Sequence, residues 1–494
     1  MAARPFAPFA LLAAAVAACG SPNTMRPATP DAADVAPPDA PTPDVAQDAP
    51  APDAAVDAAL DAALDAALDA AADAAPDAAP DAGAAGVQRV SGGSFAHTCA
   101  VLPTGGVRCW GVNDLGQLGV DRAQSRQQCR VPESDPARSL PCETTPRDVP
   151  DLTDVVDVAA GNGGTCAVKR DGSVWCWGAN DAGQLGQGTS DAQPHGAPVQ
   201  VTLPPASQVA YGAFHVCALL RDGAVQCWGT NQFAQCGVAP AMSDARCDPG
   251  DGITAPCLRR PRAVAGLTGV WALSAGRNHT CAVMSDATVH CWGLNDSAQL
   301  GNGMLEPDTR PRPEPVAVTG LTNVAQVAAG GSHTCAVPAD GAVRCWGWND
   351  LGQLGGARTA SCTIGSSPPF QCAMAPAAVP ELTGVAQLSA GRWHTCAVLR
   401  AGGVRCAGRN DEGQLGLGSA SAETCSAFPD RFPCTRTFTA TPAPAARAVT
   451  VGNYHSCGLM ADGTVRCWGA GYYGQVGDGM TSNRQAPVAT SNLP

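Results

Sequence analysis

The chain has 494 residues, with 30 Lys and Arg against 43 Asp and Glu, for a formal net charge of −13. The acidic excess is local: thirteen aspartates lie between Asp31 and Asp81, and without them 30 acidic residues balance 30 basic ones. That balance argues against a nucleic-acid protein, which carries a basic surface, and the single lysine, Lys169, is followed by Arg170, so there is no phosphate-binding G-x-x-x-x-G-K-[ST] loop.

Residues 1–18 read as a secretory signal: Arg4 supplies a weak positive charge, and 6–18 is an apolar run too short to span a bilayer as a helix. The run ends in Val16-Ala17-Ala18-Cys19, which resembles the bacterial lipobox. This predicts a diacylglyceride on Cys19 as the mature N-terminus, anchoring the protein without spanning the membrane. Residues 19–86 form a linker, and 27–86 are nearly all Ala, Asp and Pro. From Asp53 to Asp81 an aspartate recurs every fourth residue. Like charges at i,i+4 repel and Pro76 and Pro80 break the helical pattern, so this segment is expected to be a disordered tether. As a coil it would reach roughly 45 Å, and as extended polyproline II about 200 Å.

Residues 87–494 repeat one module seven times. Its first cysteines are Cys99, Cys166, Cys217, Cys281, Cys335, Cys396 and Cys457. Its second cysteines follow ten residues later, at Cys109, Cys176, Cys227, Cys291, Cys345, Cys406 and Cys467. A Gly-Gln-Leu-Gly segment or close variant comes next, with Gly116-Gln117-Leu118-Gly119 as the parent form. Between the cysteines lie two short apolar runs and a three-residue loop such as Arg170-Asp171-Gly172. That loop suits a hairpin with a glycine in the left-handed region. The register places the paired cysteines opposite each other on a non-hydrogen-bonded pair, within disulfide range, and an exported protein meets an oxidising compartment. Four modules carry a further pair: Cys129 with Cys142, Cys247 with Cys257, Cys362 with Cys372, and Cys425 with Cys434. These modules are the ones followed by the longer spacings, so each insertion is expected to be a loop stapled by its own bridge. Cys236 is left over as a buried thiol.

The pattern A-G-x-x-H-T-C-A-V…D-G-x-V-x-C-W-G-x-N-x-x-G-Q-L-G resembles the regulator of chromosome condensation repeat family over about 87–494. The resemblance implies an all-β, seven-bladed β-propeller of four-stranded antiparallel blades. Short strands and Gly-rich turns agree with that fold, and a closed ring protects sheet edges. The cysteine pairs depart from the founding eukaryotic proteins and fit an exported bacterial version. Because Pro487-Val488 matches the Pro-Val that precedes later modules, the C-terminal strand is expected to complete the first blade.

Positions repeated in every blade lie far apart around a ring and cannot converge on one substrate. His97, His215, His279, His333, His394 and His455 are therefore expected to bond backbone within their own blades; module two has Gly164 there. Trp110, Trp177, Trp228, Trp292, Trp346 and Trp468 are expected to pack between blades, and module six has Ala407. The sequence offers no catalytic set, metal site or cofactor motif. The functional candidates are unrepeated residues of the stapled loops: Phe370, Phe428, Phe432, Phe438, Arg130, Arg259, Arg260 and Arg431. These are residue types enriched at binding hot spots, in loops that should share one propeller face. The expected function is a monomeric, non-enzymatic binder of an unidentified protein. It would be lipid-anchored in the cell envelope, at the outer membrane or cell surface, without nucleic acid. Secreted bacterial β-lactamase inhibitors built on similar repeats give this use a precedent. The resemblance also offers guanine-nucleotide exchange on a small GTPase, the founding eukaryotic activity, against which export and the cysteine pairs argue.

Overall fold

Loop length sets the register of every blade. In blade two, Gly172 takes φ +88° and its N–H bonds the Lys169 carbonyl at 2.8 Å. Strands Gly164–Lys169 and Val174–Asn180 then pair with Cys166 opposite Cys176. The same opposition recurs in the other six repeats. Where the loop glycine is replaced, at Ala287, the backbone still adopts φ +58°.

The structure is a computed structural model that describes residues 86–130, 139–248, 254–307, 310–365, 367–421, 423–427 and 429–494. Cys19, the signal segment and the Asp-rich run lie outside the described residues. The strands form seven antiparallel sheets. Blade two, the plainest, runs outward as Val155–Ala160, Gly164–Lys169, Val174–Asn180 and Asp191–Val201. First strands such as Val155–Ala160, Val270–Ala275 and Val324–Ala329 surround a central cavity of about 340 Å³, where small Ala, Gly and Ser side chains let the blades converge.

Blades two, four and seven have the expected four strands, whereas one, three, five and six have five. The extra strands are Gln127–Arg130, Ala245–Cys247, Ala360–Cys362 and Glu423–Ala427, each paired with the fourth strand of its blade. The expectation that each insertion is a loop is therefore corrected: the insertions are regular hairpins. Cys142, Cys257, Cys372 and Cys434 stand inside the long fourth strands, not in loops, because those strands run on past the blade to pair with the added strand. Cys142 lies between Val112 and Gln127, and Cys257 between Thr230 and Ala245. Cys372 lies between Trp348 and Ala360, and Cys434 between Arg409 and Glu423.

The outer bridges join Cys129 to Cys142, Cys247 to Cys257, Cys362 to Cys372 and Cys425 to Cys434, with Cα atoms 5.8–5.9 Å apart. In each, the partners are offset along the ladder, so that Cys129, for example, faces Leu140 while Cys142 faces Gln127. The seven hairpin bridges join directly opposed cysteines with Cα atoms 4.0–4.1 Å apart. Cys236 is free and buried, with its thiol on the Thr230 carbonyl at 3.4 Å.

Ring closure differs from the expectation. Blade one is complete without the C-terminus, and Arg484–Ala489 is the outer strand of blade seven, with Val488 opposite Cys467. The reason is that each Pro-Val segment pairs backwards. Val316, for example, lies opposite Cys291 of blade four, so the segment ends one blade rather than beginning the next.

Side chains close the joints instead. The motif histidine reaches the following blade: His97 Nε2 lies 2.9 Å from Thr165 Oγ1, and the Thr165 hydroxyl donates to the Gln117 carbonyl at 2.9 Å. That carbonyl also accepts the Trp177 indole N–H at 2.9 Å. The joint between blades seven and one repeats the clamp, with His455 Nε2 at 2.9 Å from Thr98 Oγ1 and Trp110 Nε1 at 2.9 Å from the Gln475 carbonyl. The expectation that each histidine bonds backbone in its own blade is therefore corrected. The hydroxyl proton is committed to the carbonyl, so the histidine must be the donor and its Nδ1 is bare. All six rings are buried, and burial pushes five of them down to about 3 and His455 to about 4.

Two joints lack a clamp member, and each is filled differently. Where Gly164 and Val216 replace histidine and threonine, the Tyr211 ring takes the vacant space, and a Cβ at Gly164 would collide with its hydroxyl. Where Ala407 replaces tryptophan, Phe438 from the same blade packs on Gly355 of blade five, as Trp468 packs on Gly416 elsewhere.

Candidate protein-interaction face

In an antiparallel blade, the turn between strands one and two and the connection between strands three and four emerge at the same end. The stapled hairpins and the inner turns therefore share one face. The inner turns carry the variable residues of A-G-x-x-H: Asn162-Gly163, Ala213-Phe214, Arg277-Asn278, Gly331-Ser332, Arg392-Trp393 and Asn453-Tyr454, with Ser94-Phe95-Ala96, one residue longer, in module one. Free of the packing that fixes the motif, these positions differ from blade to blade.

From blade five round to blade one they join residues at the ends of the third strands and in the connections beyond them in a nearly continuous aromatic surface. Trp348 and Trp393 meet edge to face at 5.5 Å between ring centroids, and Arg392 stacks on Trp393 at 4.5 Å. Arg409 lies 3.8 Å from the Phe432 centroid and 5.2 Å from that of Tyr454. Further round, Tyr472 and Tyr473 are 4.9 Å apart, and Tyr473 lies 5.9 Å from Phe95. Most of these side chains are half-buried; Phe95 is exposed and Tyr473 is buried. Arg409 is held by Asp411, Nε to Oδ1, at 2.7 Å, and its pKa is raised: burial opposes the charge, but the Asp411 bond outweighs it.

The residues singled out in the stapled loops divide. Arg130, Arg260 and Arg431 are exposed. Arg259 is half-buried, with its Nε 3.9 Å from Asp244 Oδ1. Phe432 is half-buried, under Arg409 and against the cluster of Leu351, Cys425 and Cys434 on which Trp348 and Trp393 also pack, and Phe370 is half-buried against Ala298 and Leu305 of blade four. Phe438 is corrected: at 3 % exposure it belongs to the core, because it fills the space left by Ala407. Phe428 lies outside the described residues. Sequence reasoning missed Phe95, Trp348, Arg392, Trp393, Tyr454, Tyr472 and Tyr473. Their signal was variation inside an otherwise strict repeat: Phe95, Arg392, Trp393 and Tyr454 fall in the short inner turns, and Trp348, Tyr472 and Tyr473 at or just after a third strand.

Among the described residues no cluster of His, Cys, Asp and Glu could hold a metal, and no helix is long and apolar enough to cross a membrane. The motif histidines are neutral and sealed between blades.

Seven disulfide-linked blades joined by His–Thr and Trp–Gln clamps define a repeat propeller whose variable surface is one aromatic and basic face. The chain belongs to the regulator of chromosome condensation repeat family: the RCC1-like domain model matches residues 65–433 and the RCC1 repeat model matches 446–475. It is 29 % identical over 396 residues to the ultraviolet-B receptor UVR8 of Arabidopsis thaliana, covering 79 % of each chain. It is 30 % identical over 335 residues to protein pim1 of Schizosaccharomyces pombe, covering 65 % of this chain and 59 % of that one. The human E3 ubiquitin-protein ligase HERC2 matches over 78 % of this chain but only 7 % of its own length. Among solved structures, Saccharomyces cerevisiae Prp20p, described with its binding to Gsp1p and histones, superposes with a TM-score of 0.59 at 22 % identity over 74 % of this chain and 80 % of that one. Yeast Prp20 bound to Kap60 gives 0.61 at 21 % identity over 82 % and 85 %.

Proposed function

We propose that this chain is a non-catalytic, protein-binding propeller, held in the cell envelope by lipid on Cys19, with the aromatic and arginine face as its binding surface. One observation carries the reading: Trp348, Trp393, Tyr454, Tyr472, Arg392 and Arg409, residue types that dominate interface energetics, gather at unrepeated positions of one face. Buried motif residues hold the ring, so this face is where sequence is free to specify a partner. The relatives support binding as the use of the fold, since Prp20p is described as binding Gsp1p and histones, and Prp20 as bound to Kap60. Cysteine pairs throughout the ring and the lipobox-like segment favour an oxidising envelope compartment over the cytosol where a small GTPase would be met.

The test is affinity capture from envelope fractions with the full chain, compared with the Trp393→Ala/Tyr454→Ala double variant. The wild type should retain a protein that the variant loses while its melting midpoint stays within a few degrees. Equal capture by the two would refute the assignment of the face. Cys19→Ser should move the folded protein from the membrane to the soluble fraction, and a variant still held by membranes would refute the anchor.

A further inference from the structure

At the inner edge of the aromatic face, Arg277 of blade four and Arg392 of blade six both line the mouth of the central cavity. Blade five, between them, carries no side chain at the matching place. It has Gly331, whose N–H bonds the Gly391 carbonyl at 3.0 Å and where an added Cβ would strike the Arg392 carbonyl. Close passage of the backbone thus demands glycine there and leaves a gap between two guanidinium groups.

The gap is rich in donors. Arg392 Nε is buried without a hydrogen-bond partner, and so is the indole Nε1 of the adjacent Trp393. Arginine and the tryptophan indole can donate but not accept. Among the described residues, no carboxylate forms an ion pair with Arg392, in contrast to Arg409, which is held by Asp411. Burial, and next the positive charge of Arg277, push Arg392 down to about 10; burial also lowers Arg277, and Asp296 opposes that. Arg392 is half-buried and Arg277 exposed beside it, and a buried guanidinium N–H left without an acceptor, as Arg392 Nε is, is costly unless a ligand completes it. The Arg392 plane is already fixed by stacking on Trp393, which reduces what is lost on binding. The aromatic wall adjoins Arg392 through Trp393, on which it stacks, and Trp393 meets Trp348 edge to face.

We propose that Arg277 and Arg392 form a carboxylate-binding site at the cavity mouth, which takes an acidic peptide segment of the partner protein and seats that segment's neighbouring apolar side chain on Trp348 and Trp393. The proposal rests on the protein-binding reading above and adds the chemistry of what is bound. Charge complementarity selects the carboxylate, and the adjoining aromatic wall selects a peptide over a free inorganic anion.

The probe is a labelled hexapeptide with two glutamates flanking a leucine, titrated into the full chain by fluorescence polarisation and compared with its glutamine counterpart. The glutamate peptide should bind at least about tenfold more tightly, and Arg277→Gln and Arg392→Gln should each weaken it about tenfold, the value of one charge-assisted hydrogen bond. Arg400→Gln, in a turn of the opposite face, should leave it unchanged. No binding of the glutamate peptide at millimolar concentration, equal binding of the two peptides, or unchanged binding by the folded arginine variants would overturn the site. So would displacement of the peptide by inorganic phosphate at equal concentration. The envelope capture separates the two claims. A partner retained by Arg392→Gln but lost by Trp393→Ala/Tyr454→Ala overturns only the carboxylate site, whereas a partner retained by both overturns the face itself.

Discussion

Acid should open this ring through its histidines. Each of the six donates from Nε2 to a hydroxyl of the next blade and keeps a bare, buried Nδ1. In the unfolded chain these groups take up protons near 6.5, and in the ring near 3, or 4 for His455. A depressed folded value means the unfolded chain binds more protons below 6.5, so stability is complete above that pH and falls as pH drops towards 3. At one pH unit below the unfolded value each histidine costs about 1.4 kcal/mol, so six together approach about 8 kcal/mol, comparable with the whole stability of an ordinary domain. Burial raises the pKa of Asp157, Asp181 and Asp350, and those carboxyls act in the opposite sense, gaining stability as they protonate. Three residues do not offset six. Thermal melts of the oxidised protein between pH 7.5 and 4.5 should show a steep loss of midpoint beginning near pH 6.5. A flat profile would refute the neutral-histidine clamp. A loss beginning only near pH 4 would assign the acid limit to carboxylates.

Three further outcomes follow from the joints and bridges. Phe438→Ala should cost about 3–5 kcal/mol, read as a lower denaturation midpoint, because it empties the space that Ala407 leaves; adding Ala407→Trp should recover part of the loss, and a neutral Phe438→Ala would return that residue to the loop surface. Tyr211→Ala should destabilise the joint between blades two and three, and the triple change Tyr211→Ala/Gly164→His/Val216→Thr should restore stability by rebuilding the clamp; no recovery would mean that Tyr211 does not substitute for it. Peptide mapping without reduction should find the eleven bridges, with Cys236 unreactive to thiol reagents until denaturant is added, because burial raises its pKa; rapid labelling of native Cys236 would contradict its placement.

Much of the fold is local and could be read directly. A three-residue loop with glycine at its third position fixes the hairpin register, and the register alone puts Cys166 opposite Cys176. What depended on the phase between blades could not be read in that way. Pro487-Val488 matches a repeated segment, but periodicity does not say whether that segment belongs to the blade before or after it; hydrogen bonding across the sheet decides. The insertions hid their strands for a related reason. Cysteine spacing pairs Cys129 with Cys142, but it does not say that Cys142 continues a strand already begun in the blade. The histidines had the same difficulty, since a residue repeated in each blade looks alike whether it bonds inward or across a joint. A clue was nevertheless present: module two loses His at Gly164 and module three loses Thr at Val216, the two ends of one missing bond. Phe438 was misread because it falls in an insertion, although Ala407 already marked a vacancy nearby. The aromatic face was legible only by asking which positions inside the strict motif vary, which would have shown Trp393 and Tyr454 at one place in two modules and Phe95 in the same turn of module one.

A protein bound on the face built from the inner turns and the connections beside them would leave its footprint on the backbone there. Hydrogen–deuterium exchange on the captured complex tests it most directly, because protection reports backbone opening segment by segment. New protection is expected at 93–96, 391–393, 452–454 and 470–473. Protection confined to the turns of the opposite end, at 170–172, 221–223, 400–402 and 461–463, would contradict it.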